Sequence, residues 1–249
     1  MKKFALIGSG ISQSLSPKLW RFFAEKMGAA LAYELCETPA NVSDIELNEI
    51  IASYDAVNIT SPFKTRAAAF FGADLPVNLI VNFPSPKVYS LDGEAVVKSL
   101  ELFGINPHGK ELVVAGAGGA AEAAIAALVE AGATLICLNR TGRKAEKLRK
   151  KYGLATEIAR PYGVMNFTSE GADLNYLNSV RLDTAEFFFD ANYKNPSELL
   201  CFAEKKGKTV INGLPMLFFQ GAEGFRLCTG KTIESHNALL KEFIEITNV

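Results

Sequence analysis

The sequence lacks the features of a zinc protein, a membrane protein or a polyanion-binding protein. Its four cysteines stand far apart, at Cys36, Cys137, Cys201 and Cys228, and only two histidines accompany them, so no familiar zinc spacing occurs. No run of 18 apolar residues is present. The 26 basic and 27 acidic residues nearly cancel, leaving a net charge of −1 and no field for a nucleic acid or an anionic membrane. We therefore expect no metal, no nucleic-acid partner and no membrane partner.

The first ten residues, MKKFALIGSG, also lack the apolar run of a signal peptide. The two lysines are followed by only four apolar residues before Gly8, Ser9 and Gly10. This pattern predicts a cytoplasmic protein, in which the cysteines stay reduced.

The composition is that of a folded globular protein, with 249 residues of which 49% are hydrophobic and 21% charged. Short apolar runs alternate with helical patterns, which is typical of βα units around a parallel sheet. The predicted strands of the first half are 4–7, 32–36, 56–59 and 79–81, and those of the second half are 112–115, 134–138, 164–167, 187–190 and 209–211. Two helices, near 216–227 and 233–246, end the chain. The chain length and the alternation of strands and helices favour an α/β protein of two domains. The chain is expected to pass from the first domain to the second in the proline-containing stretch 82–91.

A glycine-rich loop joins the strand 112–115 to a helix of small residues. The loop reads Gly116-Ala117-Gly118-Gly119-Ala120-Ala121 and fits G-x-G-x-x-A. Such glycines let the backbone approach a pyrophosphate, and the following helix offers free N–H groups to it. The alternative is a glycine-rich turn with no ligand.

Basic residues follow the next strand, where an NAD site usually has an acid. The segment reads Asn139-Arg140-Thr141-Gly142-Arg143-Lys144. A guanidinium there suits a 2′-phosphate, so the segment predicts NADP rather than NAD. The alternative is an ordinary solvated start of a helix.

Two serines precede the first helix, in the segment Ser14-Leu15-Ser16-Pro17. Proline is well suited to the first helical position, so we expect Ser16 to be the N-cap. The hydroxyl groups and the free N–H groups of the helix end could hold a small carboxylate. The alternative is a cap and nothing more.

A lysine follows the strand 56–59 after a polar elbow, in the segment Asn58-Ile59-Thr60-Ser61-Pro62-Phe63-Lys64. The first turn of a helix is unfavourable for a cation, so Lys64 is a candidate for proton exchange. Asp92, just before a further helix, is the candidate carboxylate that would fix it. The alternatives are a surface lysine and an N-cap aspartate, and the sequence alone leaves the contact between the two open.

These motifs, in this order and spacing, resemble the shikimate dehydrogenase family over nearly the whole chain. Later segments resemble it as well, namely Asn166-Phe167-Thr168-Ser169, the run from Phe187 to Tyr193, and Gly213-Leu214-Pro215-Met216-Leu217-Phe218-Phe219-Gln220.

The resemblance implies reversible, NADPH-dependent reduction of 3-dehydroshikimate to shikimate, a step of aromatic amino-acid and chorismate biosynthesis, without a metal. It implies Lys64 and Asp92 as the catalytic pair. The substrate-binding residues would be Ser14, Ser16, Thr60, Asn82, Asp92, Tyr193 and Gln220. The cofactor-binding residues would be Gly116, Ala117, Gly118, Gly119, Ala120, Asn139, Arg140, Thr141, Arg143, Lys144, Ala191 and Gly213. A substrate-binding domain would comprise 1–91 and 213–249, and a Rossmann-type NADP-binding domain 92–212, in a monomer or homodimer.

Three departures from the family pattern concern the substrate site. Ser90 and Leu91 stand where members usually carry Asn-Thr before the Asp, and Val81-Asn82-Phe83 stands for the usual Val-Asn-Thr. An apolar Leu91 or Phe83 facing a polyhydroxylated substrate would weaken its recognition. Quinate or a related acid is therefore one alternative substrate. A non-catalytic, dehydrogenase-like binding protein is the alternative from another class, and a methylenetetrahydrofolate-type dehydrogenase is a third.

Overall fold

The computed structural model describes residues 2–82 and 84–247, which form two compact units. The first unit runs from the start of the chain to Asp92 and includes Leu217–Phe243. The second unit comprises Gly93–Met216 and the residues from Ile244 onward. The domain boundaries expected from the sequence, at 91/92 and 212/213 with the last residues in the first domain, stay a prediction.

The first unit is built on a five-stranded mixed sheet. Its strands are β1 Lys2–Gly8, β2 Leu31–Glu37, β3 Ala56–Ile59, β4 Leu79–Val81 and β5 Lys87–Tyr89. The strand order is β2-β1-β3-β4-β5, with β1 parallel to β2 and β3, and with β4 antiparallel to both β3 and β5. The sheet is thus mixed and not only parallel, because β4 runs antiparallel to β3 and forms a hairpin with β5, which lies within the stretch 82–91.

Helices cover both faces of this sheet. They are α1 Ser16–Met27, α2 Asp44–Ala52, α3 Lys64–Phe71, α8 Leu214–Thr229 and α9 His236–Thr247. Strand β1 is buried from Phe4 to Gly8, as expected for a strand covered on both sides. Ala5 and Ile7 pack into the cluster that contains residues of α2 and α3. On the other side, Phe4 lies edge-on to Trp20 of α1, which also contacts Phe225 of α8.

The second unit contains an all-parallel five-stranded sheet in the order β10-β9-β8-β6-β7, which confirms the five strands predicted for this half. The strands are β6 Glu111–Ala115, β7 Thr134–Leu138, β8 Gly163–Asn166, β9 Phe187–Asp190 and β10 Thr209–Ile211. The helices are α4 Asp92–Leu102, α5 Gly119–Glu130, α6 Gly142–Tyr152 and α7 Glu198–Lys205. Two 3₁₀ turns, Asn175–Ser179 and Leu182–Thr184, lie between β8 and β9.

Helix α1 begins one residue earlier than the sequence predicted. Ser16 is the first helical residue, and Leu15 occupies the N-cap position without a side-chain cap. The reason is that the Ser14 hydroxyl oxygen accepts the N–H of Ser16 at 3.2 Å, so a serine two residues upstream takes the place of a cap. The prediction of Ser16 as the N-cap was therefore wrong by one position.

Within residues 2–82 and 84–247, no helix combines the length and the apolar character needed to cross a membrane. All four cysteines are free thiols. Burial raises the pKa of Cys137 and of Cys228 to about 12, so both thiols are neutral at physiological pH.

Gly93, the second residue of α4, packs closely against α5 only because it has no side chain. A Cβ atom there would lie 2.4 Å from the carbonyl oxygen of Ala123. We predict that Gly93→Ala lowers the free energy of unfolding by about 1–3 kcal/mol, as overpacking does, although alanine is the better helix former by about 1 kcal/mol. Urea denaturation measures the change.

The matched control is Gly142→Ala, at the first position of α6, where an added Cβ meets nothing within 4 Å. It should leave stability unchanged or raise it slightly. A Gly93→Ala protein as stable as the Gly142→Ala protein would contradict the tight contact between α4 and α5.

Candidate active site

Three of the predicted substrate residues and the predicted catalytic lysine lie at one edge of the sheet in the first unit. Strands β1 and β3 are parallel, so their carboxyl ends meet at the same edge. Ser14 and Ser16 follow β1, and Thr60 and Lys64 follow β3. The backbone N–H of Thr60 donates to the carbonyl of Ile7 at 2.9 Å, which extends the pairing of the two strands into this edge.

Lys64 and Asp92 form a buried ion pair. The Nζ atom of Lys64 donates to Oδ2 of Asp92 at 2.5 Å, and the two side chains are 14% and 5% exposed. Lys64 is the first residue of α3, as the sequence predicted, and Asp92 is the first residue of α4. The structure thus brings together the two residues whose contact the sequence left open.

Asn78 holds the other oxygen of Asp92. Its Nδ2 group donates to Oδ1 of Asp92 at 2.9 Å, and its own Oδ1 accepts the N–H of Leu91 at 2.7 Å. Asn78 is 3% exposed, so these bonds are shielded from water. With both oxygens engaged, the carboxylate is fixed relative to Lys64.

Asn82, the asparagine chosen from the sequence, lies elsewhere. It follows β4, and since β4 runs antiparallel to β3, its end lies beside the start of β3, away from Thr60 and Lys64. The backbone N–H of Asn82 donates to Asp55. Its Nδ2 group donates to the carbonyls of Ile51 and Tyr54 at 2.7 and 2.9 Å, at the end of α2. This geometry does not favour Asn82 as a substrate residue, because it lies at the other edge from Lys64 and its amide hydrogens bond to the backbone; its assignment stays a prediction.

The sequence did contain a signal for Asn78. The dipeptide Val-Asn occurs at both ends of β4, as Val77-Asn78 and as Val81-Asn82. If β4 were parallel to β3, the second would lie at the active edge, and the reversal of β4 gives that place to the first.

The serine segment is held in place from its upstream side. The carboxylate of Glu37, at the end of β2, accepts the backbone N–H groups of Gly10 and Ile11 at 2.5 and 2.9 Å. The hydroxyl of Ser14 donates to that of Ser16 at 3.2 Å. Ser14 is partly exposed and Ser16 is buried, so the pair offers two hydroxyl groups at the start of α1.

The departures at positions 90 and 91 do not put an apolar side chain next to the ion pair. The side chain of Leu91 is 7% exposed, and its Cδ1 lies 3.8 Å from the place where a Cβ on Gly224 would stand. Leu91 therefore packs into the core near Trp20 and Leu79. The hydroxyl of Ser90 is buried and has no partner among the described residues. Phe83 lies outside the described residues.

Gln220 and Tyr193 belong to different units. Gln220 lies half-buried on α8 in the first unit, and its Nε2 group donates to the carbonyl of Leu217 at 2.9 Å. Tyr193 lies half-buried in the second unit, in the loop that follows β9. The structure thus assigns each residue a place in its own unit.

The glycine-rich loop of the second unit has the geometry of a phosphate-binding turn. Gly116 has φ +112°, and a Cβ there would stand 3.1 Å from the carbonyl carbon of Phe167, so only glycine fits. Gly118 is the N-cap of α5 and provides no side-chain cap, which leaves the first N–H groups of the helix free. The thiol of Cys137 donates to the carbonyl of Gly116 at 3.3 Å and supports the turn. The loop suits a dinucleotide pyrophosphate.

The basic residues after β7 are exposed and open to a ligand. Arg140, Arg143 and Lys144 form no salt bridge within the described part of the chain. Later in α6, by contrast, Arg149 pairs with Glu146 and Lys151 with Glu122. Three unneutralised cations at the start of a helix suit a phosphate group.

Asn139 and Thr141 lie beside them at this end of β7. The Nδ2 group of Asn139 donates to the carbonyl of Thr141 at 3.1 Å, and Thr141 is the N-cap of α6. The segment therefore adopts a defined turn and presents the basic side chains from it.

A hydrogen-bonded cluster joins the carboxyl ends of β8 and β9. Asp190, fully buried, accepts Nδ2 of Asn166 at 3.0 Å and Nδ2 of Asn192 at 2.8 Å. The N–H of Ala191 donates to Asn166, and that of Gly213 donates to Asn192. A Cβ on Gly213 would lie 2.1 Å from the carbonyl oxygen of Ala191, so the two predicted cofactor residues pack backbone against backbone.

A cavity of about 710 Å³ opens beside this cluster. Its walls include Asn166, Thr168 and Asn192 at the strand ends, and Leu177 and Phe202 deeper in. Its position at the carboxyl edge of a parallel sheet is where α/β proteins bind ligands.

Comparison with known proteins identifies the family. The family model described as "Shikimate dehydrogenase substrate binding domain" matches residues 6–74, and the one described as "Shikimate / quinate 5-dehydrogenase" matches residues 99–173. The protein named "Shikimate dehydrogenase (NADP(+))" of Alteromonas mediterranea is 33% identical, over 93% of this chain and 92% of its own. The protein of the same name from Pyrococcus abyssi is 35% identical, over 92% of this chain and 93% of its own.

Solved structures agree with the sequence relatives. Shikimate 5-dehydrogenase of Thermus thermophilus in complex with shikimate has a TM-score of 0.83 at 30% identity, with full coverage of both chains. The same enzyme in complex with NADP(H) and shikimate has a TM-score of 0.82 at 30% identity, over 98% of this chain and 99% of that one. With these relatives matched from end to end, the chain belongs to the shikimate dehydrogenase family.

Proposed function

We propose that this chain catalyses the reversible, NADPH-dependent reduction of 3-dehydroshikimate to shikimate. The observation that carries the proposal is the buried pair of Lys64 and Asp92, which a dehydrogenase needs for proton transfer and a binding protein does not. The relatives of the same name and the solved complexes with shikimate and NADP(H) support it.

The second unit fits NADP. When bound, NADPH supplies the hydride that reduces the carbonyl carbon. The loop from Gly116 to Ala120 and the start of α5 would hold the pyrophosphate, by the close approach that Gly116 permits. Asn139, Thr141 and the unpaired Arg140, Arg143 and Lys144 would hold the adenosine end with its 2′-phosphate. Ala191 and Gly213 would support the nicotinamide end.

The first unit supplies the proton. In the reduction, the Lys64 ammonium donates a proton to the carbonyl oxygen of the substrate, while the new C–H bond forms. In the oxidation, Lys64 takes that proton back from the hydroxyl group. Asp92 keeps the amine in place through its 2.5 Å hydrogen bond, and Asn78 keeps Asp92 in place. Lys64 thus transfers the proton, while Asp92 and Asn78 orient it, and all three lie at one edge of the sheet.

Ser14 and Ser16 would hold the substrate carboxylate with their hydroxyl groups at the positive end of α1. Thr60, Asp92 and Gln220 in the first unit would bind the ring hydroxyls, and the role of Tyr193 stays a prediction. Asn78 replaces Asn82 in this set, because Asn78 lies at the edge that carries Lys64.

The geometry removes one reason to expect an altered substrate such as quinate, because the side chain of Leu91 packs in the core. We retain shikimate as the substrate and the cytoplasm as the location. The monomeric or homodimeric state stays a prediction.

Lys64→Ala should lower kcat for shikimate oxidation by about 10²–10⁴-fold, because the general acid–base group is lost. Absorbance at 340 nm with shikimate and NADP measures the rate, and a separate titration measures NADP binding, which should persist. The matched control is Lys98→Ala, which removes an exposed pair with Glu94 and should leave kcat within about twofold. Equal activity of the two variants would refute the role of Lys64.

Asn78→Ala should lower kcat/KM for shikimate by about 10–100-fold, because one oxygen of the buried Asp92 carboxylate loses its donor. Asn82→Ala should leave kcat/KM within about twofold and lower the free energy of unfolding by about 1–3 kcal/mol, since it removes two bonds to the backbone. Steady-state kinetics and urea denaturation of both variants provide the comparison. The reverse outcome, with activity lost only in Asn82→Ala, would restore the original assignment.

Arg140→Ala should lower kcat/KM for NADP by about 10–100-fold and change that for NAD much less, because hydrogen bonds to a charged group contribute about 1.5–3 kcal/mol. Kinetics with both cofactors at saturating shikimate measure the ratio. Lys147→Ala, at an exposed position of α6, is the control and should leave the ratio unchanged. An equal loss of kcat/KM with NADP and with NAD would argue against a 2′-phosphate site at Arg140.

A further inference from the structure

Tyr33 of β2 is a polar residue that reaches the candidate active site without a role in the mechanism above. Its hydroxyl group donates to Oδ1 of Asn58 at 2.9 Å. Its ring stacks on Trp20 of α1, with 4.9 Å between the ring centroids and 21° between the planes. Burial raises the pKa of Tyr33, and the nearby Ser16 side chain opposes that rise in part. Tyr33 therefore contacts a residue of the proposed carboxylate site and a residue of β3 at once.

Asn58 connects Tyr33 to the ion pair. Its Nδ2 group donates to the backbone carbonyl of Asn78 at 3.3 Å, and both asparagines are buried. Asn78 in turn donates to Asp92, which accepts from Lys64. A series of hydrogen bonds thus runs from Tyr33 to Lys64, and the carbonyl of Asn78 in it also accepts the N–H of Ile59 at 2.9 Å.

The donor at Tyr33 decides which way the Asn58 amide points. A phenol oxygen beside Oδ1 must supply the hydrogen, because Oδ1 can only accept. Burial raises the pKa of Tyr33 well above its usual value, so the donor stays in place through the physiological range. If the amide turned over, its oxygen would face the carbonyl oxygen of Asn78, and two acceptors would meet in a buried place. Tyr33 therefore keeps the Nδ2 group of Asn58 on Asn78.

We propose that Tyr33 is a positioning residue of this dehydrogenase, which fixes Asn58 and through it the Asn78–Asp92–Lys64 group. The inference rests on the proposed function. It also predicts that loss of the Tyr33 hydroxyl group changes kcat and not KM. The hydrogen bond of Tyr33 leads to Asn58, whereas Ser14 and Ser16 are bonded to each other, so loss of the phenol oxygen leaves the serine pair in place. Substrate binding should be kept, and proton transfer should be slowed.

Tyr33→Phe removes the hydroxyl group and keeps the ring on Trp20. We expect kcat for shikimate oxidation to fall by about tenfold, the effect of one unsatisfied buried acceptor, and KM for shikimate to change less than about twofold. The solvent deuterium isotope effect on kcat should rise, because a misplaced Lys64 makes proton transfer more rate-limiting. A merely less stable fold would not change that isotope effect.

Tyr54→Phe is the matched control. Its hydroxyl group donates to Glu34, the residue next to Tyr33 on β2, at 2.7 Å. The same atom is removed from the same region without touching Asn58, so kcat and the isotope effect should match those of the unaltered protein.

Trp20, the single tryptophan of the chain, reports the binding-competent fraction of each variant. A fluorescence titration with shikimate gives that fraction, by which kcat is corrected. Asn58→Ala and the double variant Tyr33→Phe/Asn58→Ala complete a cycle, in which the double variant should be no slower than Asn58→Ala alone.

An unchanged kcat and isotope effect in Tyr33→Phe, beside an active unaltered protein, would overturn the positioning role. Multiplying losses in the double variant would also overturn it. If Asn58→Ala fails to fold, the isotope effect of Tyr33→Phe decides the question alone. An unaltered protein that binds shikimate but transfers no hydride would instead overturn the proposed function, and the inference with it.

Discussion

The buried contact between Lys64 and Asp92 is the interaction on which the site depends. Removing two charges from water is costly, and their attraction offsets the cost only if the remaining hydrogen-bonding positions are satisfied. Asp92 meets this condition with Lys64 on one oxygen and Asn78 on the other. These hydrogen bonds therefore fix the orientation of the carboxylate and the position of the Lys64 amine.

The strand directions in the sheet of the first unit bring the residues of this contact together. Parallel β1 and β3 deliver the serines and Lys64 to one edge, and the antiparallel β4 begins at that edge with Asn78. The hairpin with β5 then brings the chain back to Asp92. The segments after β1 and β3, before β4 and after β5 thus place their polar side chains at one edge of the sheet. Such a rigid scaffold holds a proton-transfer group in a fixed geometry.

The sequence predicts much of this architecture and misses a specific part of it. The bounds of β3 and β4 were predicted to the residue, because buried strands are short apolar runs between turn residues. The direction of β4 was not, since the side chains of a buried strand do not encode whether it runs parallel or antiparallel to its neighbour. The sequence points to Asn82 because Val81-Asn82-Phe83 resembles the family's Val-Asn-Thr, and only the direction of β4 shows that Asn78 lies nearer to Asp92. The roles of Tyr33 and Asn58 were also out of reach, because contacts between separate strands depend on register and not on local pattern.

A crystal structure with shikimate and NADP bound tests the central claim most directly. The reacting hydroxyl oxygen of shikimate should lie within hydrogen-bond distance of Nζ of Lys64, with Asp92 still held by Asn78 and with Asn82 away from the ligand. A complex in which that hydroxyl lies beyond hydrogen-bond distance of both Lys64 and Asp92 would contradict it.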